Sequence, residues 1–461
     1  MNHPAEGSTI QEVDRSKQAE QYRSYVNPQW VRLLDALDMN VHYVRASGPY
    51  LYTEEGRRIL DFLSGYCVHN TGHNHPYIVE ALRDELSAEG PAMVQSHVPD
   101  LAGELAERLC THAGGSVRKV FFCSSGSEGV EAAIKYARAC TGRTGLVYAD
   151  GAFHGLTCGA LSLMGDPFWS EGFGPMLADT HQVPFGDLPA LEAKLATKKM
   201  AAVILEPIQS EAGICVPVSD YLPRVQALCR KYGTLLVLDE VQTGLGRTGK
   251  FLAGQHYGVD PDIIVLAKAL SGGLIPIGAV LMTDTVYRSV YDSLKRSIVH
   301  TSTYSENGLA MRAGIATLDV IRDEDLTTRS HQMGDYVREQ LRVALAGYEM
   351  IKDVRGAGLL NGIEFTAPQS IKLRLAFETF RHIHAGMFGQ MVVMRMFREK
   401  NILTQMCGNN FMVLKVAPPL TVTEGQVDTF VRSIREVVEV IHTSTSFWSD
   451  AVGLAKRVVN L

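Results

Sequence analysis

Apolar and polar positions change their rhythm three times along the chain. Between Val44 and Phe62 they alternate around Gly48-Pro49 and Glu55-Gly56, which predicts short strands joined by turns and forming a small sheet. From Pro76 onward Ile78, Val79, Ala81, Leu82 and Leu86 recur at helical spacing, as do Leu101, Leu105, Ala106 and Leu109. Beyond Val117 near-continuous apolar runs alternate with amphipathic stretches. The predicted strands are Val120–Cys123, Thr144–Tyr148, Ala202–Leu205, Leu235–Leu238, Ile263–Leu266 and Ile277–Met282. Helices are predicted at Gly129–Ala139, Leu188–Ala196 and Tyr221–Lys231. Strands that are apolar on both faces and separated by helices predict an α/β fold built on a mostly parallel sheet, covered on both sides.

The rest of the pattern surrounds this centre. Residues 1–25 are polar, turning helical near Gln18–Tyr22. A helical pattern runs from Ala310 to about Leu345, and Ile351–Phe365 returns to strand and turn. Phe377–Arg398 is rich in Phe, Met and His, and a final helix is expected from Thr423. No internal repeat or flexible linker interrupts the chain. The expected domains are residues 76–335 as a large unit, with 1–75 and 336–461 together supplying a smaller α+β unit from both chain ends.

Bulk composition adds limits. A chain of 461 residues exceeds the ~100–200 expected per domain and buries a large core. The net charge of −6 gives no electrostatic case for nucleic acid. Eight scattered cysteines show no metal-like spacing, so no metal site is expected and reduced thiols fit a cytoplasmic setting. The first residues lack the apolar core of a signal peptide, and no run reaches the ~18 apolar residues of a membrane span.

Candidate chemistry falls where strands end. Lys268 follows Ile263–Leu266 and precedes Ser271-Gly272-Gly273, while Asp239 closes Leu235–Leu238 ahead of a glycine-rich turn. Ser124-Ser125-Gly126-Ser127-Glu128 opens a predicted helix, whose first N–H groups suit either a phosphate or an ordinary serine cap. Phe153 and His154 follow the next strand, as a ring stacked on a planar heterocycle or as packed side chains; Glu206 ends another, where a turn-capping carboxylate is the alternative. Together these groups occupy one edge of one sheet, the edge where α/β proteins place ligands.

The stretch Leu238-Asp239-Glu240-Val241-Gln242-Thr243-Gly244-Leu245-Gly246-Arg247-Thr248-Gly249, with Lys268 downstream, resembles the class III aminotransferases. The likeness spans about Tyr43 to Val437. It implies the fold-type I architecture of pyridoxal-phosphate-dependent transferases and a pyridoxal 5'-phosphate cofactor held by Lys268 as a Schiff base. By the same resemblance Asp239 pairs with the ring nitrogen, Gln242 bonds the phenolic oxygen, Phe153 stacks with His154 beside it, and Ser125, Gly126 and Ser127 cradle the phosphate, with Glu206 in the cofactor site. Thr303 matches a threonine that reaches the phosphate of a neighbouring subunit, which implies a homodimer with shared sites.

Within the family, Phe121–Glu128 and Gly65–His73 are most similar to putrescine-type ω-aminotransferases. The expected reaction therefore moves an amino group from a terminal amine or diamine to a 2-oxo acid by a ping-pong route. Alternatives are an acetylornithine- or ornithine-type aminotransferase, or a mutase, racemase or decarboxylase on the same fold. One departure bears on substrate: Lys415 stands where the family commonly has an arginine that holds a substrate α-carboxylate or pairs with the glutamate matching Glu211. Lysine lacks the planar fork that grips a carboxylate, so Glu211 and Lys415 are candidate substrate residues whose hold on an α-carboxylate is weakened. A second is the long Phe/Met-rich stretch Leu375–Met396, read as core, dimer contact or substrate lid.

Overall fold

The computed structural model describes residues 15–93, 96–371, 373–375, 377–378, 386–444 and 447–448. Strands β1 (Tyr43–Ser47), β2 (Tyr50–Thr53) and β3 (Arg58–Asp61) form the antiparallel sheet expected from their alternation. The central sheet holds β4 (Val117–Cys123), β5 (Gly145–Ala149), β6 (Thr180–Val183), β7 (Met200–Leu205), β8 (Leu235–Asp239), β9 (Ile263–Leu266) and β10 (Gly278–Thr283). Its order is β4-β10-β9-β8-β7-β5-β6. A third sheet follows with β11 (Ile351–Ala357) and β12 (Leu360–Phe365), joined after β13 (Ile402–Leu403) by β14 (Gln405–Cys407) and β15 (Asn410–Val416). Because β13 pairs with β3 in parallel, the two ends of the chain share one sheet.

The sheet is mostly parallel, as its apolar strands predict: β7, β8 and β9 are buried at every position or nearly so. Two features differ from the sequence reading. β10 runs antiparallel to both β4 and β9. Periodicity cannot report direction, since a strand buried on both faces reads the same either way. β6 was not expected, because its Thr-His-Gln-Val sequence carries only one buried apolar residue at the sheet's edge.

Helices cover both faces. Gly126–Thr141 packs Val130, Ala133, Ile134 and Ala137 against one side of the sheet, and Tyr221–Tyr232 lies with the cluster on the other. The pattern after Ala310 resolves into two helices, Gly308–Asp323 and Leu326–Ala344. Of the Phe/Met-rich stretch, Met387–Lys400 is a core helix: Met391, Val392, Val393 and Phe397 are fully buried, and Phe388 packs against Phe365, Phe377 and Trp448. Residues 376 and 379–385 of that stretch lie outside the described residues. No described helix is long and apolar enough to cross a membrane.

Candidate active site

A cavity of about 430 Å³ opens at the carboxyl edge of the central sheet, within the ~300–1,000 Å³ typical of small-molecule sites. Ser125, Gly126, Ser127, Phe153, His154, Glu206, Asp239, Gln242 and Lys268 all line it. They come from the ends of five strands, β4, β5, β7, β8 and β9, so chain topology alone assembles them.

At one wall the helix Gly126–Thr141 begins. Ser125 caps it, its hydroxyl accepting from the Glu128 N–H at 3.2 Å. The N–H groups of Gly126 and Ser127 lie in the first turn, where a helix supplies no carbonyl. A side chain at Gly126 would press on both Val241 methyls at 3.0 Å, so glycine lets the helix start approach β8 closely.

Lys268 lines the same cavity in a left-handed conformation, φ 48°, which strains a non-glycine residue. Burial lowers the pKa of its amine below the usual lysine value, with Asp239 pulling the other way. Among the described residues that amine has no hydrogen-bond or ion-pair partner. It is a primary amine with a raised fraction of the nucleophilic neutral form.

Asp239 ends β8 and is fixed twice: Oδ1 accepts from the Val241 N–H at 3.1 Å, and Oδ2 meets His154 Nδ1 at 2.8 Å. Burial opposes a charge on His154, yet Asp239 and then Glu206 outweigh it and raise its pKa. Glu206 holds the backbone N–H groups of Phe153 at 3.0 Å and Ser210 at 3.1 Å, so it sets the loop that carries the aromatic ring. Burial pushes the Glu206 carboxyl up to about 7, against the pull of His154. Phe153 meets Trp169 edge-on at 5.2 Å, and Trp169 donates to Asn409 at 2.7 Å.

Glu211 and Lys415 form an ion pair just behind this wall. Neither lines the cavity; they are 5% and 0% exposed. Glu211 also accepts from Gln242 Nε2 at 2.9 Å and from the Gly408 N–H at 2.8 Å. Against the cost of burial, Lys415 and these donors hold its carboxyl down to about 2. Lys415 is raised above the usual lysine range by Glu211 despite burial. Tyr66 lies over the Lys415 ammonium at 5.2 Å, presented by a left-handed run at Ser64, Gly65, Tyr66 and Cys67. Thr303 is elsewhere: it is exposed and lines a second cavity with His97, Tyr291 and His300.

Sequence reasoning missed the wall made by Val68 and Gly273–Ile277. Its signal was the glycine pair after Lys268, which marks a turn without saying which way it faces.

Together the arrangement offers an amine able to condense with an aldehyde, a carboxylate fixed in the same cavity, an aromatic ring and an anion-ready helix start. This donor set fits pyridoxal phosphate, the cofactor on which class III aminotransferases depend, and it lies on an α/β fold. The chain belongs to the class III aminotransferases, whose family model matches residues 35–438. It is 37% identical to a putrescine aminotransferase of Pectobacterium atrosepticum, covering 91% of this chain and 87% of that one. It is 35% identical to the aminotransferase PigE of a Serratia species over 94% of this chain, and spans only about half, 54%, of that longer protein. Among solved structures, an ornithine aminotransferase of Toxoplasma gondii with partial PLP at its active site superposes with a TM-score of 0.80. It shares 28% identity, covering 94% of this chain and 96% of that one.

Proposed function

We propose that this enzyme transfers an amino group from a terminal amine or diamine of the putrescine type to a 2-oxo acid, in two half-reactions on one site, as a cytoplasmic homodimer. The observation that carries the reading is the amine of Lys268, without a hydrogen-bond or ion-pair partner among the described residues, in a cavity that also holds Asp239 and the first turn of the helix Gly126–Thr141. Pyridoxal phosphate, when bound, supplies an aldehyde and an electron-withdrawing ring that stabilises a carbanion next to nitrogen.

Everything else falls to the chain. The first-turn N–H groups of Gly126 and Ser127 would take the phosphate, with Ser125 beside them. Asp239, held by His154 Nδ1 at 2.8 Å, would hold a proton on the ring nitrogen. Phe153 would cover the ring, Gln242 would offer an N–H to its oxygen, and Glu206 would fix the Phe153 loop. Lys268 would hold the aldehyde and then, once released, move the proton at the donor carbon.

The donor assignment draws support from the commitment of Lys415 to Glu211, which leaves that pair no free cation for an α-carboxylate. The 37% identity to a putrescine aminotransferase points the same way. The homodimer draws support from the exposed stretch around Thr303, where Leu294, Ile298 and Tyr304 are apolar and largely open. Eight unpaired cysteines suit a reducing compartment.

The test is a panel of diamines, long-chain amines, ω-amino acids, ornithine and N-acetylornithine against pyruvate and 2-oxoglutarate. One amino acid should appear per diamine consumed. A preference for ornithine or acetylornithine would replace the donor assignment, and loss of carbon dioxide or racemisation without oxo-acid conversion would end the transaminase reading.

A further inference from the structure

Gln242 has an amide whose two ends are told apart by their neighbours. Its Nε2 lies 2.9 Å from Glu211 Oε1, and its Oε1 lies 3.5 Å from Lys415 Nζ. An ionised carboxylate only accepts hydrogen bonds and an ammonium only donates them. The NH2 end must therefore face Glu211 and the carbonyl end must face Lys415. A flipped amide would set oxygen against carboxylate and N–H against ammonium, two repulsive contacts in a dry interior.

The pin is rigid. Lys415 sits on β15 between two partners, opposite Gly362 of β12 and Gln405 of β14, and is wholly buried. Glu211 is steadied from its other oxygen by the Gly408 N–H. Besides Glu211, the titratable groups that feel the Lys415 charge are Tyr66, Cys67, Cys407 and Lys268. One N–H of Gln242 is used by Glu211; among the described residues the second has no protein acceptor, and Gln242 lines the cavity of Lys268 and Asp239.

We propose that Lys415 is a positioning residue for the reaction: directly and through Glu211 it locks the Gln242 amide so that an N–H, never the carbonyl, faces the cofactor. This rests on the aminotransferase reading, because the acceptor for that N–H is an atom of bound pyridoxal phosphate. Lys415 thus acts on the chemistry without touching substrate or cofactor.

The experiment uses full-length protein loaded with pyridoxal phosphate, as wild type, Lys415→Arg, Lys415→Met and the double variant Lys415→Met/Glu211→Gln. The readout is the midpoint of the pH-dependent absorbance change of the bound cofactor. Lys415→Arg retains a cationic donor for both partners and should titrate with wild type. Lys415→Met should move the midpoint by about one pH unit or more. The double variant keeps the wild-type net charge and leaves no lone buried carboxylate, so it tests the amide even where Lys415→Met folds poorly; it too should shift by about one unit. A double variant that titrates with wild type overturns the proposal alone. A wild type with no lysine-bound chromophore overturns the aminotransferase reading and this proposal with it.

Discussion

Glu206 and Glu211 lie five residues apart on one loop, each 5% exposed, yet their carboxyls move in opposite directions, to about 7 and to about 2. Burial raises a carboxyl pKa in both cases. At Glu206 the compensation is an imidazole already shared with Asp239, together with two backbone N–H groups. At Glu211 it is a whole ammonium, an amide and a backbone N–H. Depth in the protein therefore does not decide charge; the undivided cation does. One cluster shares its charge over three groups beside the cofactor space, and the other closes on itself behind it.

The harshest way to break the first cluster's role is to remove the amine it faces. Lys268→Ala should abolish turnover and the visible absorbance of bound cofactor; normal turnover in that variant would sink the assignment. Next comes the closed pair. Lys415→Met leaves the buried Glu211 carboxylate without its counter-ion, which should cost roughly 3–5 kcal/mol in denaturant unfolding. Lys415→Arg should recover most of that, and equal stability of the two variants would show that the pair is not what holds Glu211 ionised.

The pH behaviour sharpens the contrast. A raised folded pKa means that the native state binds the Glu206 proton more tightly than the unfolded chain. Its contribution is full below the unfolded value near ~4.3 and is lost as pH rises toward about 7. Cofactor-free protein should lose on the order of 1 kcal/mol per pH unit across that window from this group, and Glu206→Gln should flatten the loss. Glu211 has the opposite sign: its contribution is present above ~4.3 and disappears as pH falls toward about 2. Urea unfolding at stepped pH would show whether the two arms exist. The smallest effect is expected at Thr303→Ala, about tenfold weaker cofactor binding from a lost hydrogen bond to a charged group. Unchanged affinity would count against a site shared between subunits.

Much of this site was legible without coordinates. Apolar runs such as Ile263–Leu266 have the strand's own bounds, because strands buried on both faces leave no polar position to blur their ends. Residues such as Asp239, Lys268 and Gly126 lie just past such runs, so strand ends marked the site. The partnership of His154 with Asp239 was not legible, since they lie far apart in sequence and meet only when β5 and β8 flank β7. The antiparallel direction of β10 and the edge strand β6 were hidden for related reasons: periodicity is blind to direction, and edge strands need little apolar sequence.

By itself the sequence determined the strand-helix alternation, the edge on which chemistry collects and the family motif around Asp239 and Lys268. Those are local properties, carried by side-chain type and spacing. Only the tertiary structure decided that Lys415 closes on Glu211, that the same pair orients Gln242, and that two equally buried glutamates hold their protons so differently. Charge state in an interior depends on which partners arrive from distant strands, and no local pattern records that.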